Sequence, residues 1–206
     1  MRDSLLFATI CTLGILPYTA HAGLEEGIDA YNRQDYSDAL SEFRSLAKTG
    51  DVQAQLLLGL MHDNGLGTTQ DYAQAFHWYR EAAERGNPRA QFNVAEMLAM
   101  GQGTRQDKTA AMGWYRRAAE NGFAEAQYRL GLALSRGETV EQDLVEAFKW
   151  LDLSAAQQIQ GSEAALMALE QLKLKMTPQQ VLEGQERSTR WRELFDRREQ
   201  APAQKI

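Results

Sequence analysis

Apolar and small residues fall at helical spacing over most of the chain. Ala54, Leu58 and Met61 or His62 recur three and four residues apart, as on one face of an amphipathic helix. Gly65 and Gly67 interrupt it, supplying backbone angles that other residues adopt only at a cost. Asp71 is a good N-cap with Gln74 three residues on, and Asp143 with Glu146 repeats that capping-box signature. A second helix is predicted from about Tyr72 to Glu84, burying Ala75, Trp78, Tyr79, Ala82 and Ala83. Gly86 ends it, and Asn87-Pro88 supplies a cap and a first-turn proline for the next helix.

This two-helix pattern recurs every 36 residues. Windows starting at Ala54, Ala90 and Ala126 share eight identical columns: Ala54/Ala90/Ala126, Gln55/Gln91/Gln127, Gly65/Gly101/Gly137, Gln70/Gln106/Gln142, Asp71/Asp107/Asp143, Ala75/Ala111/Ala147, Trp78/Trp114/Trp150 and Ala83/Ala119/Ala155. Chance would supply fewer than about one such column, so the chain is built from repeats. The register extends backwards through Gln34, Asp35, Ala39, Phe43, Ala47 and Gly50. Forwards it slips, because the glycine due at Gln158 arrives at Gly161. Two helices per unit cannot bury their apolar stripes alone, whereas stacked neighbours can.

The residues Ala54-Gln55, Leu58-Gly59, Gly65-x-Gly67, Asp71, Ala75, Trp78-Tyr79, Ala82-Ala83 and Gly86 resemble the Sel1-like repeat family, relatives of the tetratricopeptide repeat. The resemblance implies an all-α fold: an α-solenoid of stacked antiparallel helix pairs wound into a right-handed superhelix. Residues 23–52 read as a shorter, tetratricopeptide-like first pair. Residues 53–161 hold three repeats, about 54–89, 90–125 and 126–161. The match departs at Ala95, which replaces the Gly59-type glycine, and at Thr139, which replaces the second loop glycine. His62, Leu98 and Leu134 stand where the family has tyrosine.

Residues 162–206 lose the tryptophan motif and read as capping helices with a tail. Ser162 to Lys175 forms an amphipathic helix with Leu166, Leu169, Leu172 and Met176 on its apolar side. Thr177-Pro178-Gln179-Gln180 is a capping box with proline in the first turn, opening a last helix from Gln179 to about Glu199.

The first 22 residues have a different logic. Arg2 precedes an apolar or small-residue run, Leu5 to Leu16, and Ala20-His21-Ala22 is an A-x-A cleavage signal. The run is shorter than the roughly 20 residues a bilayer span needs. Residues 1–22 therefore read as a signal peptide, and cleavage removes Cys11, the chain's one cysteine. The product has no thiol, suits an oxidising compartment, and is expected in the periplasm or secreted, with no membrane insertion after cleavage.

Composition narrows the function classes. The 206 residues include 22 Lys and Arg against 28 Asp and Glu, a formal net charge of −6. No basic stripe offers itself to nucleic acid. One cysteine and three histidines leave no clustered Cys/His zinc site, so no metal is expected. Neither G-x-G-x-x-G nor G-x-x-x-x-G-K-[ST] occurs, so no nucleotide cofactor is expected. No G-x-S-x-G turn or cysteine nucleophile remains in the processed chain, and no catalytic residue is assigned.

Trp78, Trp114 and Trp150 could stack on sugars, but alanines surround them at one repeating helical position, which points to packing. The aspartates Asp71, Asp107 and Asp143 read as caps. The residues that the repeat leaves free are more informative. On a helical wheel the side away from Ala54, Leu58 and His62 is expected to hold Leu57, Leu60, Met61 and Asn64, then Asn93, Glu96, Met97 and Met100, then Arg129, Leu132 and Arg136. First helices of stacked pairs line the concave surface. The expected groove is apolar at one end, methionine-rich in the middle and basic at the other, suited to a peptide or an acidic partner.

The function expected is a non-catalytic, exported scaffold that binds a protein or peptide. The resemblance also admits an immunity protein that neutralises an exported toxin, and exported aromatic proteins include cell-wall glycan binders and envelope enzymes. N-terminal sequencing of the protein recovered from a bacterial envelope fraction should read Gly23-Leu24-Glu25; a chain still starting at Met1 would refute the export signal.

Overall fold

The computed structural model describes residues 16–157 and 162–200. Residues 1–15 of the expected signal segment, the register slip at 158–161 and the tail 201–206 lie outside the described residues. Ten helices and no strand occur among the described residues: α1 Leu16–Asn32, α2 Tyr36–Lys48, α3 Val52–Asn64, α4 Tyr72–Glu84, α5 Pro88–Met100, α6 Lys108–Glu120, α7 Ala124–Arg136, α8 Leu144–Ala156, α9 Ser162–Lys173 and α10 Pro178–Gln200. They form an α-solenoid of helix pairs α1/α2, α3/α4, α5/α6 and α7/α8, each pair packing on the next.

Within a pair the helices run antiparallel, with Gln55 opposite Arg85 and Asp63 opposite Tyr79. Glycine sets how close they come. A Cβ on Gly59 would lie 2.5 Å from Tyr79, and one on Gly131 would lie 2.7 Å from Leu151. Between pairs, the helix-connecting loop rests on the start of a helix one repeat back. A Cβ on Gly103, at φ 66°, would fall 2.0 Å from the Tyr72 carbonyl oxygen.

The invariant glutamines hold the stack together. Gln55, Gln91 and Gln127 are buried, and each donates its side-chain amide to a carbonyl at the end of the preceding helix: Ala47 at 3.1 Å, Ala83 at 3.1 Å and Ala119 at 3.2 Å. Their own carbonyls accept from one further column, Arg85, Asn121 and Gln157. Gln70, Gln106 and Gln142 donate to the carbonyls of Asp63, Ala99 and Ser135 near the ends of α3, α5 and α7.

The repeated aspartates are caps. Asp71 accepts from the backbone of Ala73 and Gln74, Asp107 from Ala110 and Asp143 from Glu146. The expected capping boxes form only by half. Each aspartate's own N–H donates instead to the first helix of its repeat, at His62, Leu98 and Leu134, and Glu146 turns to Lys149 and Arg187. The box is complete at Thr177 and Gln180, which exchange both bonds.

Trp150 is fully buried, while Trp78 and Trp114 are half-buried against the core. The last helix departs from the repeat. α10 packs not on α9 but along α8, in parallel: Gly184 seats on Phe148, and Ser188 donates to Asp152 at 2.7 Å. Farther on, Trp191 meets Trp150 and stacks on Phe195, which covers Gly122.

Thr139 and His62 each carry a local cost. Thr139 adopts φ 68° where the preceding repeats place Gly67 and Gly103, a conformation costing an L-residue roughly 1–2 kcal/mol. Thr139→Gly should raise the melting temperature by about 2–4 °C, read by circular dichroism. His62 is buried with Nδ1 unpartnered, in the column that holds Leu98 and Leu134. Burial first, then the Arg44 guanidinium, hold its pKa below the ordinary 6.5, opposed by Asp71. The folded chain thus keeps His62 neutral while the unfolded chain binds its proton, so stability falls as pH drops through about 6.5. His62→Leu should reduce the loss in melting temperature between pH 7.5 and 5.5, and an unchanged loss would refute that role.

Candidate partner-binding face

The first helices of the pairs, α3, α5 and α7, and then α9 present one face in succession. Nine of the eleven expected residues form three rows across it: Leu57, Asn93 and Arg129; Leu60, Glu96 and Leu132; Asn64, Met100 and Arg136. The last row is exposed, with Met100 at 55%. The middle row is half-buried throughout, and in the first row only Arg129 is exposed.

Met61 and Met97 correct the expectation, for both are buried in the core, 0% and 4% exposed. Met61 lies seven residues after Ala54 and three after Leu58, and Met97 stands likewise to Ala90 and Val94. At 3.6 residues per turn those offsets return to the packing stripe. The middle of the face is therefore not methionine-rich; Met100 is the methionine that α3, α5 and α7 leave open.

Arg129 corrects it again. Its Nε lies 3.1 Å from Glu96 in the preceding repeat, and Glu96 also accepts from the Tyr115 hydroxyl at 2.5 Å. Burial and this carboxylate push the Tyr115 pKa far up, so the phenol stays protonated and donating. Glu96 and Arg129 are thus brought together across repeats as an internal pair. Arg136 is 55% exposed on its side chain, with Glu138 at 3.9 Å.

Leu132 and Arg136 line a cleft of about 400 Å³ between α7 and α9, with Tyr128 and Ser135 on the same wall. The far wall is Ala164, Met167, Ala168, Gln171, Leu172 and Lys175. These far-wall residues went unpredicted. The signal was an apolar stripe on Ser162 to Lys175, but Leu166, expected on its buried side, is 51% exposed, and Met167 is 70% exposed. With α10 laid on α8, α9 packs on α8 and α7, and the helix that follows it does not cover them.

No group of three or more His, Cys, Asp or Glu side chains able to hold a metal occurs among the described residues. Nor is any described helix long and apolar enough to cross a membrane. The arrangement offers an apolar cleft with a cation on each wall, suited to holding a chain segment.

Such an array, with its core closed by its own helices and one face of first helices left open, defines the class as an α-helical repeat protein. The chain belongs to the Sel1 repeat family, whose profile matches residues 52–87, 88–123 and 124–158. Proteins of this family generally mediate protein–protein interaction and are typically non-catalytic scaffolds. Among solved structures, a Sel1 repeat protein from Oxalobacter formigenes is similar at 29% identity and TM-score 0.67, over 71% of this chain and 59% of that one. The c5321 protein, a protective antigen of uropathogenic Escherichia coli with an SLR fold, is similar at 23% identity and TM-score 0.59, over 91% of this chain and 49% of that one. The matched region thus spans about half to three-fifths of those solved chains. No curated protein matches the chain.

Proposed function

We propose that the chain is an exported, non-catalytic interaction scaffold of the cell envelope, periplasmic or secreted, that holds a peptide segment or partner helix along its first-helix face. The reading treats residues 1–22 as a removable address, 23–52 as an entry pair, 53–161 as three repeats and 162–206 as cap and tail. The observation that carries it is the open apolar material on this face, Met100 and the Leu132–Met167 cleft, in a chain whose core is filled without it. Methionine and leucine at a cleft accept varied apolar side chains. Family membership supports the binding role.

The test is a paired capture experiment on envelope extracts. Met100→Glu with Leu132→Glu should abolish recovery of the proteins that wild type retains, while circular dichroism and melting stay near wild type. Should the double variant unfold, Met100→Glu alone decides, because that side chain stands in solvent. Recovery at the wild-type level would overturn the proposal.

A further inference from the structure

The three rows of the binding face do not stop at α7. The slip of three residues makes the repeat offset between α7 and α9 39, which puts Gln171 in the register position of Leu132 and Lys175 in that of Arg136, and all four line the cleft. The exposed row therefore reads Asn64, Met100, Arg136, Lys175, passing from neutral through apolar to cationic. Arg136 has one remote acidic neighbour, Glu138 at 3.9 Å. Lys175 forms no ion pair among the described residues, and Arg129, one turn before the cleft, is already held by Glu96. Two cations thus stand at the lip of an apolar cleft on a molecule of net charge −6. The floor is apolar or aromatic, with Tyr128, Leu132, Ala168 and Leu172. A ligand matching both parts has apolar side chains to fill the floor and carboxylates spaced to reach either wall.

We infer that the α7–α9 cleft recognises an acidic amphipathic segment of a partner protein, its apolar side chains seated against Leu132 and Leu172 and its aspartate or glutamate side chains paired with Arg136 and Lys175. This rests on the scaffold reading and adds the chemistry of the partner. A basic segment meets like charge at the lip, and a purely apolar one leaves both cations unpaired.

The probe is a fluorescein-labelled 15-residue synthetic peptide of leucine, alanine and glutamate at helical spacing, beside a counterpart with lysine in place of every glutamate. Fluorescence anisotropy with the whole processed chain should show the glutamate peptide binding about tenfold more tightly than the lysine peptide at low salt, with the difference shrinking at 0.5 M salt, about a 4 Å screening length. Arg136→Glu with Lys175→Glu should invert the preference, and because both side chains are exposed, melting should not change. A photo-crosslinker at Ser135 should label the glutamate peptide. No binding of the glutamate peptide, equal binding of the two, or a preference that the double reversal leaves intact would overturn the inference. If envelope capture is lost in the Met100/Leu132 variant but kept in the charge-reversed one, the scaffold reading stands and the acidic-segment inference falls.

Discussion

One hydrogen bond, made three times, sets the geometry on which the rest depends: a buried glutamine amide at the start of a helix, donating to a carbonyl at the end of the helix before it. The last carbonyls of a helix have no partner within it. At Ala47, Ala83 and Ala119 the turn that follows already supplies one, the N–H groups of Gly50, Gly86 and Gly122; it is the glutamine amide, buried between stacked repeats, that must find an acceptor or carry a penalty of about 1–3 kcal/mol. Gln55, Gln91 and Gln127 donate to the second lone pair of those carbonyls, and the Arg85, Asn121 and Gln157 side chains complete the glutamine in turn. The bond fixes where each pair sits on the last. Its neighbours, Ala54, Ala90 and Ala126 on one side and Ala83 and Ala119 on the other, are small enough to let the helices meet at that distance.

The same constraint explains how the array ends. α8 closes its C-terminus with Gln157, which reaches both Gln127 and the Gly122 carbonyl. Nothing beyond it repeats the tryptophan motif, and α10 is free to follow a different surface. Gly184 lets it lie on Phe148, Arg192 reaches Asp152, and the Trp150–Trp191–Phe195 run carries it back to Gly122. α10 thereby seals the outer side of the last pair at the expense of α9, whose Leu166 and Met167 are left in solvent. Cleft and cap are two consequences of one packing choice.

How far the sequence could be read follows from the range of each interaction. Helices, caps and repeat boundaries depend on residues within one unit, so the columns show them: α4 begins at Tyr72 and ends at Glu84, as its aspartate and glycine demand. The importance of the glutamines was visible as identity, but not their bond, which joins two units. Met61 and Met97 were legible in principle, since an offset of seven from Ala54 or Ala90 places them on the packing stripe. Arg129 was not, because its partner Glu96 lies 33 residues back, with nothing in local spacing to tie them. The far wall of the cleft was least legible, for it depends on α10 abandoning α9, a tertiary preference for Phe148 and Trp150 over a neighbouring helix.

Separation of duties between the rows makes such a face adjustable. Positions such as Ala54, Gln55 and Leu58 are held by packing, so changing them costs stability. Asn64, Met100, Arg136 and Lys175 touch little, and surface changes of that kind shift stability by less than about 0.5 kcal/mol. The row can therefore differ in charge from repeat to repeat without disturbing the stack. Its electrostatic reading is local too. At physiological ionic strength the field of an exposed charge is largely screened within about 8 Å. A partner approaching the cleft thus meets the two cations at its lip more strongly than the overall negative charge of the chain. On the proposal made above, it is this local pair of cations, and not the net charge, that would select an acidic segment.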